Sequence, residues 1–226
     1  MPVERWATFD CYGTLVDWET GIGRELARLW PEADVSALRE RYQEIEPRVE
    51  LEGSIAYRDV LRQGLVLLAE SEGLDLPRDE ETALADALPG WPVFPEVPGA
   101  LAELRRRGWR LVPLSNTDAD LLSASLEAIG VPFDGAVVAG EIGSYKPAHG
   151  HWEAFYQRFG AERSRHVHVA ASLFHDIAPA QELGLTAVWI NRLAETSDLP
   201  RAAELADLVP LPETLERLVP PPAASG

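Results

Sequence analysis

Apolar positions follow two different patterns along the chain. Between about residues 18 and 92 they recur every three to four positions with polar residues between them, as on one face of a helix. Ile22, Leu26, Leu29 and Trp30 mark a first stripe, and Leu38, Tyr42 and Ile45 a second. Asp34 or Ser36 is the expected cap of the second helix, with Pro47 perturbing it further on. Tyr57, Val60, Leu61 and Leu65 share one face of a third helix predicted over 54–72, and a fourth is predicted over 79–88, ending before Pro89-Gly90. Strand-like alternation is absent from this region.

Outside it the pattern changes. Residues 3–9 form a short, largely apolar run with β-branched and aromatic side chains, as expected of a buried strand. After Val97 the sequence predicts a helix over 100–107, a strand over 109–114 ending at Ser115-Asn116, and a helix over 118–129. A strand over 135–138, a helix over 149–159, a strand over 166–170, a helix over 176–183 and a strand over 186–190 follow. This alternation predicts an α/β domain, a parallel sheet with helices on both faces. The first strand stands apart from the others, so the expected organisation is a core of residues 1–17 and 93–219 with a helical cap, 18–92, inserted into it, and a disordered tail over 220–226. The cleft between core and cap lies over Asp10, because sites in open parallel sheets form at the carboxyl ends of strands, where Asp10 and Ser115 both fall.

Composition narrows the function. The chain has 226 residues, enough for a substantial core without staples. Its single cysteine, Cys11, excludes an internal disulfide and makes the cytoplasm the expected compartment. Cys11 follows a buried strand and is expected to pack as a small side chain. No apolar segment reaches the roughly 20 residues a membrane span needs, and the N-terminus lacks a basic region followed by an apolar run. A formal net charge of -17 opposes nucleic acid as a partner, so an anionic substrate has to be attracted locally.

The chemistry concentrates in four stretches. In Phe9-Asp10-Cys11-Tyr12-Gly13-Thr14-Leu15 a strand ends in a carboxylate; Gly13 permits a positive φ that turns the chain and leaves N–H groups facing that carboxylate, and Thr14 adds a hydroxyl donor. The others are Leu111-Val112-Pro113-Leu114-Ser115-Asn116, Ser144-Tyr145-Lys146-Pro147, and the run from Val169 to Asp176. Ser115 also reads as a helix cap for the segment that follows it.

These stretches resemble the four motifs of the haloacid dehalogenase superfamily, and the resemblance to the L-2-haloacid dehalogenases covers most of the chain. It implies a Rossmann-like core with an inserted helical cap and an enzyme in which Asp10 is the nucleophile. Phosphatases of the superfamily carry a second Asp two residues later as general acid and base; Tyr12 stands there, and a phenol with a reference pKa near 10 does not exchange protons near neutrality as a carboxylic acid does. Metal-dependent members end the fourth motif's strand in Gly-Asp, whereas Ala171 occupies that second position and offers magnesium no oxygen. The two departures together imply a metal-independent hydrolase with no cofactor, acting on a small anionic 2-haloacid.

The resemblance further implies that Lys146 neutralises and orients Asp10, that Asp176 is the base for the hydrolytic water, and that Thr14, Ser115 and Asn116 bind the substrate carboxylate. Tyr12 and Trp18 are expected to form an apolar wall. Trp152 stands where the dehalogenases place a Tyr and is expected at the substrate, and Ala171 and Leu173 align with a family Ser and Asn, for which Ser172 and His175, also expected at the substrate, are the candidate substitutes. His175 also reads as a structural residue at a helix start. The family's cap Arg aligns with Arg41 without gaps and with Glu40 after a one-residue shift, Arg39 lying on the other side; Arg41 is the expected ligand, because one residue turns a helix by roughly 100° and only one of these side chains faces the cleft. Related dehalogenases are often dimers, which leaves a homodimer open. Two alternatives stand beside this reading, an atypical phosphatase of the same superfamily and a binding protein that keeps the pocket with little chemistry.

Overall fold

The structure is a computed structural model that describes residues 4–51 and 56–221. Its sheet is parallel throughout, with six strands in the order β3-β2-β1-β4-β5-β6: β1 (Arg5–Phe9), β2 (Trp109–Ser115), β3 (Val137–Val138), β4 (His166–Ala170), β5 (Ala187–Ile190) and β6 (Ala203–Leu205). β1 lies between β2 and β4, with Ala7 level with both Leu111 and Val167, so every residue of β1 is buried and Asp10 emerges at the centre of the carboxyl edge.

The helical region between β1 and the rest contains α1 (Trp18–Leu29), α2 (Val35–Leu51), α3 (Tyr57–Glu72) and the single-turn α4 (Ala83–Ala87). Asp34 is the cap of α2, accepting from the N–H groups of Ser36 and Ala37. Pro47 does not end α2; it sits inside the helix, on the face turned to the cleft, where it withholds the N–H that would reach Gln43. The predicted 79–88 helix is instead a 3₁₀ turn, α4 and a second 3₁₀ turn ending at Gly90. Residues 54 and 55 of the predicted third helix lie outside the described residues.

The chain leaves for this region and returns from it side by side. Asp17 N–H donates to the Pro92 carbonyl at 2.7 Å and Phe94 N–H to the Leu15 carbonyl at 3.1 Å. A second tie lies across the cleft: the Asp118 carboxylate accepts from the backbone N–H of Tyr57 and of Arg58, both at 3.0 Å, capping the start of α3 from the far side of β2.

The sheet is covered by α5 (Val97–Arg106), α6 (Ala119–Ile129), α7 (Ala139–Ile142), α8 (Gly150–Phe159), α9 (Ala178–Glu182) and α10 (Leu211–Leu218). β6 and α10 lack a clear sequence signal, one being three half-exposed residues and the other an eight-residue helix beginning Leu-Pro. Of the predicted tail, Pro220 is held by Arg165, whose guanidinium donates to its carbonyl at 2.8 Å, and residues 222–226 lie outside the described residues. Among the described residues no helix is long and apolar enough to cross a membrane.

Replacing Asp118 by Ala leaves the first N–H groups of α3 unpaired and is expected to cost about 1–2 kcal/mol. A lowered Tm, with the secondary structure at room temperature unchanged, is the result that checks it.

Candidate active site

At the tip of β1 the turn Cys11–Val16 closes on itself. Gly13 has φ +91°, as the turn requires, but the N–H groups expected to face Asp10 are used elsewhere: those of Leu15 and Val16 donate to the Cys11 carbonyl, and that of Gly13 to the Val16 carbonyl. Side chains hold the Asp10 carboxylate instead. Thr14 Oγ1 donates to Asp10 Oδ2 at 2.8 Å and itself accepts from the Ala171 N–H at 2.9 Å, so it orients the carboxylate and ties the first motif to the fourth. Cys11 is fully buried in the core, and burial pushes its thiol up, as expected of a packed side chain.

Lys146 reaches between two carboxylates. Its ammonium donates to Asp10 Oδ1 at 2.9 Å and to Asp176 Oδ1 at 2.7 Å, with the side chain almost wholly out of water. Asn116 fixes the lysine's backbone, accepting from its N–H at 2.7 Å and donating to its carbonyl at 2.9 Å. The Asn116 amide thereby positions Lys146, and Asn116 also lines the cleft, with one side-chain hydrogen left over. Ser115 lines the cleft, and its Oγ, on a residue only 1% exposed, has no partner among the described residues.

Asp176 lies on a π-helical turn, Leu173–Ile177, where a plain helix start was expected. The Ser172 carbonyl accepts from the N–H of Ile177 at 3.1 Å, and Ser172 Oγ caps the turn by accepting from the His175 N–H at 3.0 Å. Behind Asp176 lies a chain of buried groups that the sequence did not single out. His168 Nε2 meets Asp176 Oδ1 at 2.9 Å; Thr8 Oγ1 bridges His168 Nδ1 at 2.8 Å and His166 Nε2 at 2.7 Å; the Tyr156 hydroxyl meets His166 Nδ1 at 2.6 Å. Alternate positions of β1 and β4 on the same face bring Thr8, His166 and His168 together, but histidines in an apolar run carry no sign of their partners.

These contacts divide the two carboxylates. Burial works against charge on Asp176, but the Lys146 ammonium and the His168 contact outweigh it and hold the carboxyl far below its usual range. For Asp10 burial prevails, with the charge of Asp176 adding to it and Lys146 opposing, so its pKa is raised. Lys146 stays charged: burial opposes its ammonium, and the two carboxylates more than compensate.

A cleft of about 250 Å³ opens over Asp10, lined by Tyr12, Trp18, Ser115, Lys146, Ser172, His175 and Asp176 from one side and by Gln43, Glu46, Pro47, Glu50 and Tyr57 from the other. Tyr12 forms wall as expected, stacking on Tyr57 with 6.3 Å between centroids; its hydroxyl pairs with Ser125 Oγ and burial pushes it up, away from acid–base service. Two expected residues are elsewhere. Trp152 is fully buried under the sheet, its ring edge-on to His168 at 5.3 Å. Arg41 points to solvent and pairs with Glu44 at 2.6 Å. Helical period explains this: Gln43, Glu46, Pro47 and Glu50 define the cleft face of α2, Arg39 falls on it one turn before Gln43, and Arg41 lies roughly 200° round from Arg39. Arg39 lines an adjoining cavity with Tyr12, Trp18, Gln43 and Ser172, 3.9 Å from Glu19, and its Nε is buried without a partner among the described residues.

The cap face is unexpectedly acidic. Glu46 accepts from the Tyr57 hydroxyl at 2.7 Å, and burial together with the charge of Glu50 raises its pKa to about 7. Glu50 Oε2 lies 3.5 Å from His175 Nε2, and His175 Nδ1 lies 3.1 Å from Ser172 Oγ. Burial disfavours charge on the His175 ring, but the contact with Glu50 prevails and raises its pKa.

The residues present do not fit a divalent cation. The Lys146 ammonium fills the space between Asp10 and Asp176, and Ala171 presents a methyl group. Among the described residues no group of three or more His, Cys, Asp or Glu side chains is arranged to hold a metal ion.

This chain belongs to the haloacid dehalogenase-like hydrolases, whose family model matches residues 5–184. The (S)-2-haloacid dehalogenase of Pseudomonas sp. (strain YL) is 30% identical over 201 residues, covering 81% of this chain and 81% of that protein. The fold matches the solved L-2-haloacid dehalogenase RSc1362 with a TM-score of 0.85 at 24% identity, over 95% of this chain and 99% of that one. It also matches the L-2-haloacid dehalogenase of Xanthobacter autotrophicus with chloropropionic acid covalently bound, with a TM-score of 0.83 at 17% identity, over 95% of this chain and 99% of that one.

His168→Leu removes one of the two donors to Asp176 and leaves a buried carboxylate short of a partner, at an expected cost of about 2 kcal/mol in chemical denaturation. A second expectation concerns Asp10. Its pKa is raised, so its carboxylate should take up a proton as pH falls through a value above the ordinary aspartate range. Titration of the carboxyl followed by infrared or NMR spectroscopy checks this, and ionisation that persists down to the usual carboxylate range contradicts it.

Proposed function

We propose that this chain hydrolyses the carbon–halogen bond of a small 2-haloacid through an ester on Asp10 and without a metal ion. The observation that carries the reading is the single buried ammonium shared by Asp10 and Asp176, with Tyr12 and Ala171 in place of the carboxylates a phosphatase would use. The relatives named as 2-haloacid dehalogenases, and the neighbour with chloropropionic acid covalently bound, support the same reaction class.

In the first step an Asp10 oxygen attacks the halogen-bearing carbon from the side opposite the halogen. The C–O bond forms as the carbon–halogen bond breaks, and halide departs with its electron pair. Thr14 and Lys146 hold the carboxylate in position and leave it nucleophilic. Ser115 Oγ is free to meet the substrate carboxylate, and Arg39 supplies the attraction that Arg41 was expected to give. In the second step water attacks the ester carbonyl of Asp10, the acyl C–O bond breaks, and a 2-hydroxy acid leaves with its configuration inverted. The helical region 18–92 serves as the cap that closes over these steps.

Halide release from L- and D-2-chloropropionate and from monohaloacetates, measured with EDTA present, tests the proposal. Release should persist in EDTA, favour the L enantiomer and fall to background in Asp10→Asn. Magnesium-dependent phosphate release with no halide would instead make the chain a phosphatase.

A further inference from the structure

The hydrolytic step needs a base, and Asp176 is poorly suited to it. Its Oδ1 already accepts from Lys146 and His168, its Oδ2 is buried without a partner among the described residues, and a carboxyl held so far below its usual pKa takes a proton from water reluctantly. A different set of groups faces the same cleft. Ser172 Oγ lies 3.1 Å from His175 Nδ1, and His175 Nε2 lies 3.5 Å from Glu50 Oε2, which α2 brings in from the cap; all three residues line the cavity that contains Asp10.

With the His175 ring neutral and its hydrogen on Nε2, the contacts give this chain a direction. Ser172 Oγ accepts from the His175 backbone N–H, so its own hydrogen is free to point at Nδ1, and the remaining hydrogen of the ring, on Nε2, faces Glu50. One lone pair on Ser172 Oγ is left for water. A hydroxyl, an imidazole and a carboxylate in this order form the arrangement by which a weak nucleophile gives up its proton.

We infer that Ser172, His175 and Glu50 form the general base of the second half-reaction, resting on the ester mechanism proposed above. Water bound at Ser172 attacks the ester carbonyl; its proton passes to Ser172 Oγ as the serine proton passes to His175 Nδ1, and Glu50 stabilises the imidazolium. Collapse of the tetrahedral intermediate breaks the acyl C–O bond, and the proton returns from His175 through Ser172 to the departing alkoxide. Asp10 regains a carboxyl that loses its proton to solvent, and no oxidant, metal or co-reactant is required. The charged and titratable groups facing His175 are Glu50 and Glu46 from α2 and Asp176 and Lys146 from the core, and among them the Glu50 contact dominates. Glu50 comes from the helical region and His175 from the core, so the base is complete only when the two are together.

The test is rapid quenching of the full-length enzyme turning over L-2-chloropropionate, read by halide release and intact-protein mass, for the native chain and for Ser172→Ala, His175→Gln and Glu50→Gln. The variants should release about one equivalent of halide, stall, and carry a carboxyethyl adduct on Asp10, with steady-state turnover reduced about a hundredfold or more. Folding is checked by circular dichroism, and Glu50→Gln, on a side chain at the cleft wall, keeps the test open if a core variant is unstable. Native turnover in folded His175→Gln and Glu50→Gln, or loss of the first halide equivalent together with turnover, overturns the inference. A native enzyme that yields neither halide nor adduct overturns the ester mechanism and this inference with it.

Discussion

Lys146 spends one ammonium on two carboxylates inside the protein, and most of the site is a consequence of keeping that arrangement affordable. Three charged groups so nearly removed from water are tolerated only when each finds further hydrogen bonds. Asp10 takes one from Thr14, Asp176 takes one from His168, and the Lys146 backbone is clamped by Asn116. His168 is steadied in turn by Thr8, His166 and the Tyr156 hydroxyl, so Asp10 is connected to the start of β4 through an unbroken line of polar contacts. Burial prevails at Asp10 and pairing prevails at Asp176, which keeps one carboxylate basic enough to attack and the other ionised as the lysine's anchor.

The cap face works against that electrostatic balance. Glu46 and Glu50 confront a site that already holds two carboxylates, in a chain whose formal net charge is -17. Against this acidity stand Arg39 at the edge, the Ser115 hydroxyl, unpartnered among the described residues, and Glu46 itself, whose pKa of about 7 leaves it partly protonated near neutrality. His175 links the two halves of the cleft by pairing with Glu50 while resting on the Ser172 cap. The proposed substrate attraction and the proposed second step both draw on side chains of α2.

Local signals were sufficient for the fold. Apolar spacing separated the helical region from the alternating one, the strand before Asp10 and the strand before Ser115 were legible as buried runs, and Gly13 announced its turn. Asp10, Thr14, Lys146 and Asp176 could be named because the stretches that carry them resemble the motifs of a known family. The shortest elements were not legible: β6 and α10 are held by their neighbours more than by any pattern of their own, and the π turn before α9 depends on a Ser172 cap that resembles any other serine.

What the sequence determined by itself was the order of most elements, the carboxylate that ends the first strand, and the departures at Tyr12 and Ala171 that disfavour a metal. What only the tertiary structure decided was which groups meet. Arg41 and Arg39 are two residues apart and equally basic, and the rotation of α2 against the core alone selects Arg39. Asn116, expected at the substrate, also clamps the Lys146 backbone, a contact that no sequence signal announces. Trp152 was assigned to the cleft and lies beneath the sheet, while Glu50 and His175, distant in the chain, face each other across it. The physical reason is the same in each case: periodicity fixes the face of a helix or strand relative to its own axis, whereas the partner that face meets is set by burial and charge pairing between segments far apart in sequence.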